Sequence, residues 1–192
     1  MKYCSTFCLL LIFAQTSFGQ LGGSRTYQFL NLSPSARATA LGGVGITVKD
    51  NDLNLAFQNP SLLNSTMHQY ISFSNAFYVS GINHGYANYA HHVDKWDATL
   101  GGGILYRSYG KFDQTDATGQ VIGTFGASDF ILNAGAGLQS NKLSYGANLK
   151  FLYSQLESYS SVGMSVDAAA TFEDTASQFL ATVIFKNMGA QF

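Results

Sequence analysis

Cysteine, proline and charged residues are all scarce in this chain of 192 residues. The two cysteines, Cys4 and Cys8, both lie near the N-terminus, so the rest of the chain can form no disulfide or thiol-based metal site. Charged residues make up 11% of the chain, whereas ordinary soluble domains contain about 25%. The 10 basic and 11 acidic residues nearly balance, so the composition gives no reason to expect nucleic acid as a partner.

Residues 1–19 have the features of a secretory signal peptide. Lys2 gives a positive start, residues 9–14 form a short apolar core, and the small residues Ser17 and Gly19 suit a cleavage site. The apolar core is too short for a transmembrane helix. We therefore expect a mature chain that begins at Gln20 and carries no lipid anchor. The alternative is an uncleaved N-terminal anchor.

From residue 69 onward, apolar and polar side chains alternate with a period of two. Leu143, Leu149 and Phe151 share one parity, for example, whereas Asn148 and Lys150 share the other. Such alternation is typical of β-strands with one apolar face. It predicts seven strands, at 69–78, 85–92, 96–109, 128–139, 143–155, 162–172 and 178–187. The other, inner face is predicted to carry the charged residues Asp129, Lys150, Asp167 and Lys186.

The length of these runs favours a membrane as the surroundings of the apolar face. Trp96 and Tyr106 lie ten residues apart, and so do Leu143 and Tyr153. Ten steps of about 3.4 Å in a strand tilted by about 40° rise roughly 26 Å, which matches the apolar band of about 25 Å in outer-membrane barrels. Strands elsewhere are typically about 5–6 residues long. We therefore predict an all-β fold, an antiparallel transmembrane β-barrel in the outer membrane of a Gram-negative bacterium.

The predicted connections alternate in length, which indicates how the barrel is oriented. Outer-membrane barrels have short periplasmic turns and long extracellular loops. The short connections are predicted at 93–95, 140–142 and 173–177, and the longer ones near 79–85, 110–127 and 155–161. With seven strands the chain would stop at Phe192 on the extracellular side, so we expect it to be a fragment of a larger barrel. The alternative counts residues 44–49 as an eighth strand and takes Phe192 as a natural end.

Residues 20–68 lack the alternation. We predict that they form a short helical plug inside the barrel, and that residues 69–192 form the barrel itself. Ser33 is the expected N-cap of a helix that Pro34 opens and that Gly42 and Gly43 end. Asn59 and Pro60 then predict a turn or second short helix through Leu63. A plug is favoured over a flexible periplasmic tail because many of its apolar residues need burial: Leu30, Leu32, Leu41, Leu53, Leu55, Phe57, Leu62 and Leu63.

Two stretches of this segment resemble a known family. Residues 22–30 (GGSRTYQFL) and 33–43 (SPSARATALGG) closely resemble the N-terminus of the PorQ family, outer-membrane proteins of the type IX secretion system of Bacteroidota. Residues 52–63 (DLNLAFQNPSLL) are similar to the Asn-Pro-Ala signature of the wider PorV and FadL-like barrels, with Ser61 where alanine is usual. The resemblance extends from residue 22 to the end and is most specific over 22–63. It implies about fourteen strands in a complete barrel, of which about seven or eight are present here.

The resemblance also implies a function. It indicates a non-enzymatic component of the type IX attachment complex that anchors a PorZ-like partner at the cell surface for cargo maturation, together with PorU-like and PorV-like proteins. Residues 110–127 are the candidate partner-binding loop. The alternative is a FadL-like transporter of hydrophobic small molecules, although Ile131 and Leu152 are among few apolar residues predicted on the inner face. A non-specific porin is a third, less favoured alternative because a plug would block it.

The histidines do not predict a catalytic or metal site. Outer-membrane lipases and deacylases often carry a His-x-Ser pair, which His68, His84 and His92 all lack. His91 and His92 are neighbours on a predicted strand and point to opposite faces, so they cannot ligate one metal from that strand. We therefore predict no enzyme activity, and no catalytic, cofactor or metal-binding residues.

Three further motifs have plain structural interpretations. Asp113 and Asp116 could weakly bind calcium, but a solvated extracellular loop is the favoured interpretation. Residues 43–45 (GVG) lack the preceding strand and following helix that a dinucleotide-binding loop requires. The triple glycine at 101–103 lies in a predicted strand, where it favours close packing or a bend.

Overall fold

The computed structural model describes residues 27–192, which form one antiparallel sheet with a helical segment packed against one of its faces. Residues 1–26, which include the predicted signal peptide and the start of the predicted plug, lie outside the described residues. The all-β prediction is confirmed, because the only secondary structure in the described part besides strands is a set of short helices.

Seven strands pair with their neighbours in chain order, as the alternation predicted. The first and last strands are the two edges of the sheet and do not pair with each other among the described residues, so the sheet is open. All six pairings are antiparallel. The strands are β1 (Ile71–Phe77), β2 (Asn83–Val93), β3 (Ala98–Thr115), β4 (Val121–Ser140), β5 (Leu143–Leu156), β6 (Tyr159–Asp174) and β7 (Phe179–Gln191).

The predicted long connections are wrong, because interstrand pairing continues into them. β3 and β4 pair as far as Thr115 and Val121, which leaves only residues 116–120 as a loop where 110–127 was predicted. Leu156 pairs directly with Tyr159, so 155–161 shrinks to a two-residue turn at 157–158. The connection predicted at 79–85 occupies residues 78–82 and contains a 3₁₀ helix. Loop length therefore no longer indicates which end of the sheet faces outward.

The segment before the sheet, residues 27–68, is called the N-terminal segment below. It contains one short α-helix, α1 (Ala36–Ala40), and a series of 3₁₀ helices. Two more 3₁₀ helices lie between strands. Among the described residues, no helix is long and apolar enough to cross a membrane. The 3₁₀ helices are Gln28–Asn31, Leu53–Phe57, Pro60–Leu62, Ser65–Met67, Val79–Gly81 and Asp94–Trp96.

Two local predictions for this segment need correction. The N-cap of α1 is Ser35 rather than Ser33, because the Ser35 hydroxyl accepts the free N–H of Ala38 at 3.1 Å. Residues 44–49 do not form an eighth strand. The Gln58 side chain accepts the N–H of Gly45 at 3.1 Å, and Asn59 donates to the carbonyl of Ile46 at 2.7 Å. Backbone groups that a neighbouring strand would bond are therefore bonded by side chains.

Two other predictions for the segment are confirmed. Gly42 and Gly43 end α1 with positive φ angles of 96° and 87°, and the N–H of Gly43 donates to the carbonyl of Ala38. Asn59 caps the 3₁₀ helix Pro60–Leu62, at the position where a second short helix was predicted.

The segment covers one face of the sheet, called the inner face below, and leaves the outer face exposed. The parity prediction of the inner face is confirmed for Asp129, Lys150 and Asp167, which are buried, whereas Lys186 is only partly buried. Phe29, Leu30 and Phe57 of the segment form an apolar cluster with inner-face residues such as Leu105 and Ile131. Most of the leucines that were predicted to need burial are buried, but Leu32 and Leu41 are exposed. The short helix α1 presents only Ala38 to the core, which leaves Leu41 at its end without a surface to cover.

Glycines on the inner face let the backbone of the segment approach the sheet closely. A Cβ atom on Gly137 would lie 2.7 Å from the Leu63 Cβ and 2.9 Å from the Pro60 carbonyl oxygen. One on Gly146 would lie 2.5 Å from the same oxygen, and one on Gly101 would lie 3.0 Å from the Leu63 side chain. Gly101, from the triple glycine, therefore allows close packing as predicted. We call Gly101, Gly137 and Gly146 the glycine bed.

We predict that Gly137→Ala displaces the segment and lowers the free energy of unfolding by about 1–3 kcal/mol, the usual cost of overpacking. Gly126→Ala, in the same strand, is the matched control, since its added Cβ meets only the Gly110 carbonyl oxygen at 3.7 Å. Urea unfolding of both variants measures the difference. Equal stability of the two variants would show that the close approach is not a packing constraint.

Candidate functional site

The candidate functional site is the interface between the N-terminal segment and the inner face, because most of the buried polar side chains lie there. Its first element is the Asn-Pro-Ser turn. The Asn59 carboxamide oxygen accepts the Ser61 N–H at 3.0 Å and the Ser61 hydroxyl at 2.6 Å. An asparagine before a proline is suited to this role, because its side chain caps the turn while proline fixes the backbone.

The same turn is bonded to the last two strands. The hydroxyls of Ser61 and Thr171 lie 2.7 Å apart, and those of Thr171 and Thr182 lie 2.9 Å apart. Ser61 and Thr171 are both buried. Serine at position 61, where the resembled signature has alanine, therefore supplies a hydroxyl that links the segment to β6 and, through Thr171, to β7.

Side-chain amides of the sheet bond the carbonyls of the 3₁₀ helix Leu53–Phe57. Asn88 donates to the carbonyl of Leu53, and Asn148 donates to the carbonyl of Ala56, both at 3.0 Å. A 3₁₀ helix leaves carbonyls without internal partners, and burial of such groups is costly unless another donor meets them. The two asparagines therefore fix the position of this helix on the sheet.

A fully buried ion pair lies under the aromatic ring of Phe57. The Lys150 ammonium is 2.5 Å from the Asp167 carboxylate, and both side chains are 0% exposed. The ammonium also lies 4.4 Å from the centroid of the Phe57 ring, within the range of a cation–π interaction. The backbone N–H of Asn187 donates to Asp167 at 2.7 Å. The segment thus seals a charged pair that parity alone had placed on the inner face.

A second polar cluster lies towards the end of the sheet that carries residues 116–120. Arg107, which is buried, donates to the Nδ1 atom of His84 at 2.7 and 3.2 Å. Asp129 accepts hydrogen bonds from the hydroxyls of Ser154 at 2.6 Å and Tyr109 at 2.5 Å. The sequence predicted no catalytic role for His84. In the structure its ring accepts hydrogen bonds from the buried Arg107.

Charged contacts at the rim surround this interface. Lys49 of the segment forms an ion pair with Glu173 at 2.6 Å. Arg37 pairs with Asp50, and the hydrogen bond and charge of that carboxylate raise the pKa of Arg37. At the opposite rim, hydrogen bonds from the Thr118 hydroxyl and nearby backbone N–H groups lower the pKa of Asp116 below its usual range. The Asp116 carboxylate thus accepts the hydrogen bonds that close its own loop.

The structure does not gather the other singled-out residues into a site. The rings of His68 and His91 lie 4.8 Å apart, whereas His92 contacts the Thr99 hydroxyl at 3.0 Å. Asp113 is paired with Thr124 in the β3–β4 ladder, away from the Asp116 turn. Within residues 27–192, no group of three or more His, Cys, Asp or Glu residues is arranged to hold a metal ion.

In the described part of the chain, two cavities open beside residues 27–31 of the N-terminal segment. The first, of about 510 Å³, is mainly apolar and is bounded by Tyr27, Phe29, Phe112 and Leu156, with Asp129 in its wall. The second, of about 430 Å³, is more polar and lies between residues 27–31 and the last two strands. Sequence reasoning missed both cavities, because each is formed by residues more than 100 positions apart.

Comparison of the chain with family models, with curated proteins and with solved structures finds no match.

We predict that Asp167→Asn destabilises the protein by about 3–5 kcal/mol, because it leaves the Lys150 charge buried without its partner. The double variant Lys150→Met with Asp167→Leu is expected to recover most of this loss, since it removes both charges together. Denaturant midpoints measure both effects. The matched control is Asp174→Asn, which breaks the exposed pair with Lys142 and is expected to leave the midpoint unchanged. A double variant no more stable than Asp167→Asn would contradict this account.

Proposed function

We propose that this chain is part of an outer-membrane β-barrel that lies in lipid with its outer face and holds an exported partner protein at the cell surface. The resemblance of residues 22–63 to the PorQ family supports a place in the type IX attachment complex. Its partners would then be PorZ-like, PorU-like and PorV-like proteins, and its own role would be non-enzymatic.

The observation that carries the membrane proposal is the apolar outer face. Phe73 is 75% exposed, Phe77 is 80% exposed and Phe185 is 63% exposed, although the inner face of the same sheet is covered. Soluble monomers rarely expose apolar patches of more than a few hundred Å². Neighbouring strands satisfy each other's backbone hydrogen bonds within the sheet. Lipid requires the same of the free edges of β1 and β7, which a closed barrel would pair.

The distribution of charge on the outer face supports the same proposal. The outward positions of β3, β4, β5 and β6 carry no Asp, Glu, Lys or Arg over residues 98–108, 128–138, 143–155 and 162–172. A basic residue on the lipid face costs about 2–4 kcal/mol at the bilayer midplane, whereas water imposes no such cost. A surface in water would have no reason to exclude charge so completely.

We predict that Leu149→Arg, in the middle of β5, lowers the free energy of unfolding in lipid vesicles by about 2–4 kcal/mol. Leu143→Arg is the matched control, because Leu143 has similar exposure but begins the same strand. There the expected cost is about 0–1 kcal/mol. The measurement is urea unfolding of the intact protein from vesicles. If both variants are as stable as the parent protein, the outer face does not lie in lipid.

The partner-holding proposal is supported by the extended β3–β4 hairpin. Residues 111–126, called the ribbon below, have only each other as strand partners, since β2 ends its pairing at Ser108 and β5 ends at Ala127. Their one backbone bond to the turn between β5 and β6 runs from the Glu157 N–H to the Gly126 carbonyl, at 3.0 Å. An isolated two-stranded ribbon is marginally stable in water. Stacking of Phe112 on Phe125, with centroids 5.4 Å apart, supports it from one side. Val121 and Ile122 remain exposed at its tip.

The ribbon therefore offers both free backbone edges and apolar side chains, the two features that β-strand addition to a partner uses. It contains most of the candidate partner-binding stretch 110–127, which the sequence presented as a loop. Its strand pairing already orders the backbone, so less conformational entropy is lost on binding than for an unpaired loop.

We predict that the double variant Val121→Asp with Ile122→Asp abolishes co-isolation of a PorZ-like protein with the tagged intact chain. The matched control is Asp113→Asn, which changes a charge in the same ribbon and is expected to leave co-isolation unchanged. Affinity isolation followed by mass spectrometry of the accompanying chains is the measurement, and circular dichroism checks folding. Undiminished recovery of the PorZ-like protein with the double variant would refute the ribbon as its docking site.

A FadL-like transporter of hydrophobic small molecules is the second candidate function, and the first cavity favours it. That cavity places Tyr27, Phe29 and Leu156 around a mainly apolar space. The hydrogen bonds of Asn59, Ser61 and Asn148 weigh against it, because a gate would have to break them to move. A fatty-acid uptake assay in a deletion strain separates the two candidates, since only a transporter would change uptake.

A further inference from the structure

The second cavity has an unbalanced electrostatic lining. Its wall combines Ser165, Lys186 and Asn187 with residues 27, 28, 30 and 31 and with residues 189–191. Of the residues within 27–192 that line it, Lys186 is the one that carries a charge, and none is Asp or Glu. The lining therefore carries a single positive charge that faces a space of about 430 Å³.

The nearest carboxylate is already occupied. Asp167 is held by Lys150 at 2.5 Å and by the backbone N–H of Asn187 at 2.7 Å. Among the described residues, no carboxylate oxygen lies within 4 Å of the Lys186 ammonium, and it makes no hydrogen bond. The group of Lys150, Asp167 and Lys186 thus keeps one net positive charge, half-buried at the cavity wall.

Two polar side chains beside Lys186 also lack good partners. The Ser165 hydroxyl is buried and makes no hydrogen bond within residues 27–192. The Asn187 amide donates to Asn31 at 3.4 Å, the outer limit of a hydrogen bond. A buried donor without a partner is rare and costly in native proteins, so the Ser165 hydroxyl is a sign of a missing acceptor. Asn187 is only partly buried, and its amide can turn from this long bond towards a ligand.

We propose that this cavity is a binding site for an oxyanion, the phosphate group of a small solute or of a lipid headgroup. The Lys186 ammonium supplies the charge, and the Ser165 hydroxyl and Asn187 amide supply directed hydrogen bonds. Charged hydrogen bonds of this kind are about twice as strong as neutral ones. The site is independent of the proposed partner-holding role, since the ribbon contributes nothing to it.

Calorimetric titration of the intact protein with inorganic phosphate tests the site, in a non-ionic detergent at constant ionic strength. We expect saturable binding by the parent protein. For Lys186→Met we expect an affinity that is lower by about tenfold or by a larger factor. Ser165→Ala is expected to weaken binding by a smaller factor. The matched control is Lys95→Met, which removes an exposed lysine from the turn at residues 94–97 and should bind as the parent does. Circular dichroism verifies that each variant is folded.

Native mass spectrometry of protein extracted from its membrane distinguishes the two sources of phosphate. A phospholipid that remains bound to the parent protein and is lost from Lys186→Met identifies a headgroup site. Phosphate binding without such a lipid identifies a solute site. Absence of saturable phosphate binding, or equal affinity of the parent and Lys186→Met, would overturn the proposal. Neither result would alter the co-isolation experiment on the ribbon.

Discussion

Burial of polar groups between the N-terminal segment and the sheet is the constraint on which the rest of the structure depends. The inner face contains Lys150 and Asp167 at zero exposure, so it requires a cover that keeps water out and brings complementary groups. The segment meets this requirement with backbone carbonyls for Asn88 and Asn148 and with the Phe57 ring above Lys150. The glycine bed allows the necessary approach, because side chains there would hold the two surfaces apart.

The two faces of the sheet consequently differ in the reverse sense from those of a soluble protein. Polar and charged side chains are concentrated on the covered face, whereas large apolar side chains such as Phe73 and Phe185 are exposed. Water as the only solvent would penalise both arrangements. A lipid environment would remove the penalty on the exposed apolar side chains, and the hydrogen bonds of the N-terminal segment reduce the penalty on the buried polar ones. The same logic makes the membrane proposal and the tight docking of the segment mutually consistent.

Period-two alternation predicted the strands and their faces, because the direction of a side chain on a strand depends only on its immediate neighbours. Asp167 and Lys150 were placed on the inner face in this way, but their contact depends on the register between β5 and β6, which no local pattern contains. Strand ends were mispredicted for a related reason: Gly110 and the polar residues around it read as a loop, yet pairing continues past a bulge between Ser108 and Lys111. The cavities and the Ser61–Thr171 contact were beyond prediction, since they join residues far apart in sequence.

The separation of these contacts along the chain bears on how the protein assembles. Ser61 and Thr171 are 110 residues apart, and Lys49 and Glu173 are 124 residues apart. Closing such long intervals is slow compared with forming hairpins between adjacent strands. The N-terminal segment, although synthesised first, therefore cannot complete its contacts until β6 and β7 are in place. The N-terminal segment therefore stays undocked until the last strands have formed. During that interval its apolar residues are exposed and need protection from contact with other chains.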